Sequence, residues 1–209
     1  MYKNIKILVF LIVLCLLVPV FDREASAVSV DVYGGVGSQI HAIAGLEILF
    51  YEGKNADLFI GAEETNMAST QSGLQLGSQW FDVDYAVKIK EATFGFRWKI
   101  RTSSRWTPYV SLGGVAGNAD YSINQLTKAN LTILSPLTGT SSFVGARAGV
   151  GTDIAFGDQF SVGIEISGTQ GPPAYNIVVK DSSSGRIMDV ALTEHQTMLV
   201  STIRLRYTF

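Results

Sequence analysis

Two imidazoles, His41 and His195, are the only side chains in this 209-residue sequence whose ordinary pKa suits base chemistry near neutral pH. His195 stands in Glu194-His195-Gln196-Thr197. A hydrolytic site built on it would need a nucleophilic serine and an orienting carboxylate within hydrogen-bond reach. His41 is expected instead as a hydrogen-bonded interior residue. No Cys or His cluster has metal-ligand spacing, and Gly34-Gly35-Val36-Gly37 has neither the lysine nor the following helix of a phosphate loop. No cofactor is implied.

The sequence is richer in charges placed on one face of alternating segments. Asp31, Glu47, Glu63, Glu91, Asp153 and Glu165 stand against Arg97, Lys99, Arg147, Arg204 and Arg206. Buried charges persist when they are paired and hydrogen-bonded. The near balance of sign therefore predicts an internal salt-bridge network, with Glu165 and either Arg204 or Arg206 as its clearest pair.

The elements that would hold these charges read as strands. The last runs to the carboxy-terminus with Thr197, Leu199, Ser201, Ile203, Leu205, Tyr207 and Phe209 on one face and Met198, Val200, Thr202, Arg204, Arg206 and Thr208 on the other. A period of two with arginines on one side and aromatics on the other suits a wall between lipid and a polar lumen. The pattern recurs in segments of about 9 to 11 residues, the length of a membrane-spanning strand.

Eight such segments can be traced, at about 28–36, 40–50, 57–63, 92–100, 106–116, 144–156, 160–167 and 197–209. Short turns at 52–56, 101–105 and 157–158 alternate with long polar stretches at 64–82, 117–140 and 168–194, which read as outer loops. Above the fourth segment the alternation inverts, with Val83, Tyr85, Val87 and Ile89 apolar at odd positions. Either a β-bulge near Glu91 restores the phase or residues 83–90 stand clear of the membrane.

The expected fold is all-β: an eight-stranded antiparallel transmembrane up-and-down β-barrel. An even strand count lets the first and last strands pair, leaving no open edge in lipid. Eight strands enclose a space that side chains can fill, so structural filling is favoured over a gated ion path. Trp98, Trp106, Phe156, Tyr207 and Phe209 fall near one rim, as an aromatic girdle would.

Lys3 and Lys6 precede an apolar run from Ile7 to Val20 and the small-residue pattern Ala25-Ser26-Ala27. This predicts a signal peptide over 1–27 cleaved after Ala27, leaving 28–209 as one barrel domain. The single cysteine, Cys15, lies in the removed segment. No later apolar stretch approaches the roughly 20 residues of a spanning helix. With a formal net charge of −2 and no basic cluster, a nucleic-acid partner is not expected.

Phe94-Gly-Phe-Arg-Trp98, Trp106-Thr-Pro-Tyr-Val-Ser-Leu-Gly-Gly114 and the terminal Arg206-Tyr-Thr-Phe209 resemble the small outer-membrane barrels of the OmpA, OmpX and opacity-protein type. The resemblance implies residence in the bacterial outer membrane, among its lipid and lipopolysaccharide. It also implies that the terminal Phe209 is read by the barrel assembly machinery. Relatives serve in adhesion, serum resistance and envelope integrity, with a host or surface ligand at the outer loops, and a few modify lipid. This chain lacks the His-X-Ser pattern of the lipid A deacylases, so an enzyme is not expected. The structural or surface-binding role is the first reading, and a narrow channel for small or apolar solutes, similar to the OmpW type, is the second.

Overall fold

The computed structural model describes residues 28–37, 40–100, 105–127, 130–171, 174–193 and 197–209. The proposed signal segment, the Ser38-Gln39 connection, His195 and the side chain of His41 lie outside the described residues.

Among the described residues eleven strands follow in chain order: β1 (Ser29–Gly37), β2 (Ile40–Glu52), β3 (Ala56–Leu76), β4 (Gln79–Lys99), β5 (Trp106–Leu126), β6 (Leu131–Ile133), β7 (Thr138–Ala155), β8 (Phe160–Gln170), β9 (Ala174–Asp181), β10 (Ile187–Thr193) and β11 (Thr197–Thr208). Eight of them close a barrel in the ring order β1-β11-β8-β7-β5-β4-β3-β2, and β10-β9-β6 form a separate sheet. Closure runs from Ser29↔Thr208 to Gly37↔Val200, all antiparallel. Each wall strand therefore has a hydrogen-bonding neighbour on both sides, the condition for a β-structure in hydrocarbon.

The wall is not of even height. β3, β4 and β5 have 21 residues each and β7 has 18, whereas β1, β2, β8 and β11 have between 9 and 13. This corrects the expectation of long loops. Residues 64–82 are the upper parts of β3 and β4 with a tight turn between them; 117–140 continue β5, β6 and the start of β7; 168–194 contain β9 and β10. Their Ser, Thr, Asn and Gly content resembles loop composition because the outward face of these strands meets water.

The inverted alternation at 83–90 has its explanation in the same place, and no bulge lies at Glu91. Ala62↔Ala92, Glu63↔Glu91 and Glu64↔Lys90 pair in unbroken register, and the shifts on β4 fall higher, opposite Gln71/Leu74 on β3 and at Asp84/Tyr85 toward β5. What changes is the surroundings. Across β3, β4, β5 and β7 the outward row Ala62, Ala92, Ala116, Val144 is apolar, and the next outward row is Glu64, Lys90, Asn118, Ser142. Inside, Glu63 and Glu91 give way to Ile89, Ala119, Met67, Val87 and Tyr121 within the following two rows. The wall turns from apolar-outside to apolar-inside within one step, so the inverted alternation at 83–90 needs no bulge to explain it.

The upper apolar face is covered by the three-stranded sheet. Ile177, Val179, Val190, Leu192 and Leu131 pack with Val83, Tyr85, Val87, Ile89 and Phe143 in one core. Tyr175 of β9 stacks on Tyr121 of β5 with centroids 5.4 Å apart. The β9–β10 turn is fastened by Asp181, which accepts hydrogen bonds from Ser184 Oγ at 2.6 Å and Ser183 N at 2.8 Å. These bonds, Ser184's first, hold that carboxyl below the usual carboxylate range.

Candidate functional site

Below the apolar cap, the barrel interior is filled by ion pairs. Arg97 on β4 is 1% exposed; it donates to Asp31 Oδ2 at 2.8 Å and also to Glu47. Arg204 on β11 joins the same carboxylates from the other side, with Nη1 2.6 Å from Glu47 Oε2 and Nη2 3.1 Å from Glu165 Oε2. Arg206 binds Asp31 through Nε at 2.7 Å and Asp153 through Nη1 at 3.1 Å. Lys99 meets Asp57 at 2.6 Å near the lower rim. In the upper lumen Arg147 lies 2.8 Å from Glu63 and 3.5 Å from Glu91 and donates to Ser167 Oγ at 3.0 Å.

Strand parity brings every one of these groups inside, because charged residues at alternate positions share one face. Aromatic rings complete the filling. Arg97 lies 4.9 Å from the Phe59 ring centroid and Arg204 lies 4.5 Å from that of Tyr33, close enough for cation–π attraction. The Tyr33 hydroxyl donates to Glu63 at 2.9 Å and the Tyr109 hydroxyl to Glu165 at 3.0 Å. Both tyrosines lie over the glycine directly opposite on the next strand, Gly45 and Gly151, where any Cβ would run into the ring. Among these groups a cavity of about 10 Å³ is lined by Glu47, Thr93, Ser111, Arg147 and Glu165. That is room for roughly one water molecule.

Sequence reasoning missed two members of the network. Glu52 accepts from Ser29 Oγ at 2.7 Å and lies 3.5 Å from Arg206. It points inward because the β2–β3 register shifts between Leu49 and Tyr51, reversing the parity after Phe50. Asp57 was legible as inward from the alternation of β3, but nothing local linked it to Lys99 on the neighbouring strand. The aromatic supports Tyr33, Phe59 and Tyr109 carry no sequence signal beyond that parity.

Outside the barrel, Trp98, Trp106, Phe156, Tyr207 and Phe209 are all exposed near the turn-side rim. Tyr207 and Phe209 meet edge to face at 5.0 Å. From Leu199 on β11 to Phe209 just beyond it, the outward face is exposed and apolar except at Ser201 and covers ten residue steps, roughly 33 Å along the chain and about 25 Å in height at a usual barrel tilt. That matches the apolar band of a membrane barrel.

Comparison with solved structures gives the class. The chain is similar to the outer membrane protein OprG from Pseudomonas aeruginosa, with a TM-score of 0.58 and 12% identity over 88% of this chain and 96% of that one. A major outer membrane protein from Thermus thermophilus gives a TM-score of 0.56 and 12% identity, covering 87% and 99%. The N-terminal β-barrel domain of Pseudomonas aeruginosa OprF gives 0.50 and 14%, covering 89% and 100%. No protein-family model matches the chain, and no curated protein matches it. The chain has the fold of the small outer-membrane β-barrels of the OmpA type: a closed eight-stranded antiparallel wall, apolar outside and ionic within.

Proposed function

We propose that this chain is a non-catalytic barrel of the bacterial outer membrane, exported by a signal peptide cleaved after Ala27. Its role is structural or surface-binding and is carried by the tall extracellular wall and its cap. One observation supports this reading above others: the lumen is closed twice, by ion pairs among strands on all sides of the barrel and by the apolar core above them. A solute would have to break buried pairs and then cross a packed apolar layer.

Fractionation of cells and planar-bilayer recording test the proposal together. The protein is expected with the outer membrane, migrating on gels in a heat-modifiable way, and its insertion should produce no sustained open conductance. A large, stable conductance would instead support the channel reading.

A further inference from the structure

The outward face of the tall wall changes character just above the apolar belt. Asn66, Lys88, Asp120 and Thr140 are successive cross-strand partners on β3, β4, β5 and β7. They and the row above, which includes Ala86 and Ser122, line an open groove of about 760 Å³. The inward alternates of the same strands, Met67, Val87 and Tyr121, are buried in the apolar core, so the groove belongs to the outside of the wall.

Its chemistry is mixed and already arranged. Lys88 Nζ lies 2.7 Å from Glu64, and the hydrogen bond from Lys88 is the main reason the Glu64 carboxyl sits below its usual range. Thr140 Oγ1 donates to Asp120 at 2.7 Å, leaving the other carboxylate oxygen open to a ligand. One concave face thus offers an amide, an ammonium, a carboxylate and hydroxyls over a floor kept low by Ala86 and Ser122. Donors and acceptors in alternation suit a polyhydroxylated ring, which presents both.

Position supplies the rest. The last apolar row, containing Ala92, lies four residues below Lys88 on β4. At about 3.3 Å per residue and a tilt near 40° that is about 10 Å in height, the depth of a headgroup above its acyl chains. A lipid with tails against Phe94, Leu112 and Val144 would carry its headgroup to this groove. We propose that the groove seats the sugar headgroup of a glycolipid whose acyl chains lie along the apolar belt beneath it. The inference rests on the outer-membrane reading given above.

The test uses the folded protein in nanodiscs of phosphatidylethanolamine and phosphatidylglycerol doped with a minor fraction of lipopolysaccharide. Lipopolysaccharide held around the barrel is measured against the bulk composition. Enrichment of about fivefold or more is expected for the wild type, corresponding to roughly 1 kcal/mol of preference. Ala86→Phe with Ser122→Tyr fills the groove without altering charge and should return the ratio to that of the bulk. Lys88→Gln with Asp120→Asn should lower it while heat-modifiable migration is kept. Equal enrichment in the filled variant, or none in a correctly inserted wild type, overturns the site. Equally tight binding of the soluble core oligosaccharide overturns the assignment to a lipid. A chain that does not enter bilayers at all defeats the outer-membrane reading itself, a result separable from the others.

Discussion

Arg97 Nη1 on β4 lies 2.8 Å from Asp31 Oδ2 on β1, although β3 and β2 separate those strands in the ring. The contact crosses the lumen, so it ties together parts of the wall that strand pairing alone does not join. Arg204 and Glu47 do the same from β11 to β2, at 2.6 Å across β1. Such pairs trade a large desolvation cost for attraction in a medium that screens poorly, and their value shows most clearly when one partner is lost.

Arg97→Ala leaves Asp31 and Glu47 with fewer cations in a buried setting. We expect a loss of about 3–5 kcal/mol, read as a lowered urea midpoint for unfolding from lipid vesicles. Arg97→Met with Glu47→Gln removes one charge of each sign and should cost less than Arg97→Ala. A larger loss in the balanced variant would show that unpaired charge is not what matters.

Gly45 faces Tyr33 directly across β1 and β2, and the Tyr33 ring occupies the space a side chain at 45 would need. Gly45→Ala should therefore displace the ring from Arg204 and Glu63 and destabilise the barrel by about 1–3 kcal/mol. A second change, Tyr33→Leu, should remove most of the added penalty in a double-mutant cycle. Additive losses would mean that the two residues do not compete for space.

The cap shares one apolar core with the upper barrel wall, above the ionic lumen, and Ile177 lies in that core with no exposed surface. Ile177→Asp buries a carboxylate among Val179, Val190 and Leu192, at a cost of several kcal/mol. Trypsin is expected to cut this variant rapidly at Lys180 or Arg186 while the barrel keeps its heat-modifiable migration. Collapse of both together would show that the cap is part of the barrel's own folding unit.

The sequence made the lower barrel readable and the upper half misleading, for one physical reason. In β8 and β11 a polar interior meets an apolar exterior, so Glu165, Arg204 and Arg206 alternate with Ile164, Ile203 and Leu205 in a single phase. In β4 the phase is constant from Gln79 to Lys99, but the solvents on its two sides exchange near Glu91, and the change of pattern reads as a slip of register. The polar outward residues of β5 and β7 look like loop for the same reason. Inward parity identified the charged groups, and strand adjacency identified the Glu165–Arg204 pair, found at 3.1 Å, whereas partners across the lumen were beyond reach: Arg97 chooses Asp31 from three strands away, a relation set by barrel curvature and side-chain length. Glu52 was hidden by the bulge at Phe50, whose signal is geometric rather than compositional.

Spin-label accessibility along β4 tests the exchange of environments most directly, since the only cysteine of the chain, Cys15, lies outside the barrel segment. Single cysteines at 86, 87, 88, 89, 90, 94 and 96 would be labelled in reconstituted protein and probed with oxygen and a water-soluble nickel complex. Labels at 94 and 96 should collide with oxygen from lipid, those at 86, 88 and 90 with the aqueous complex, and those at 87 and 89 with neither. Oxygen-rich, lipid-like exposure at 87 and 89 would place the upper wall in the bilayer with its phase reversed, contradicting the account.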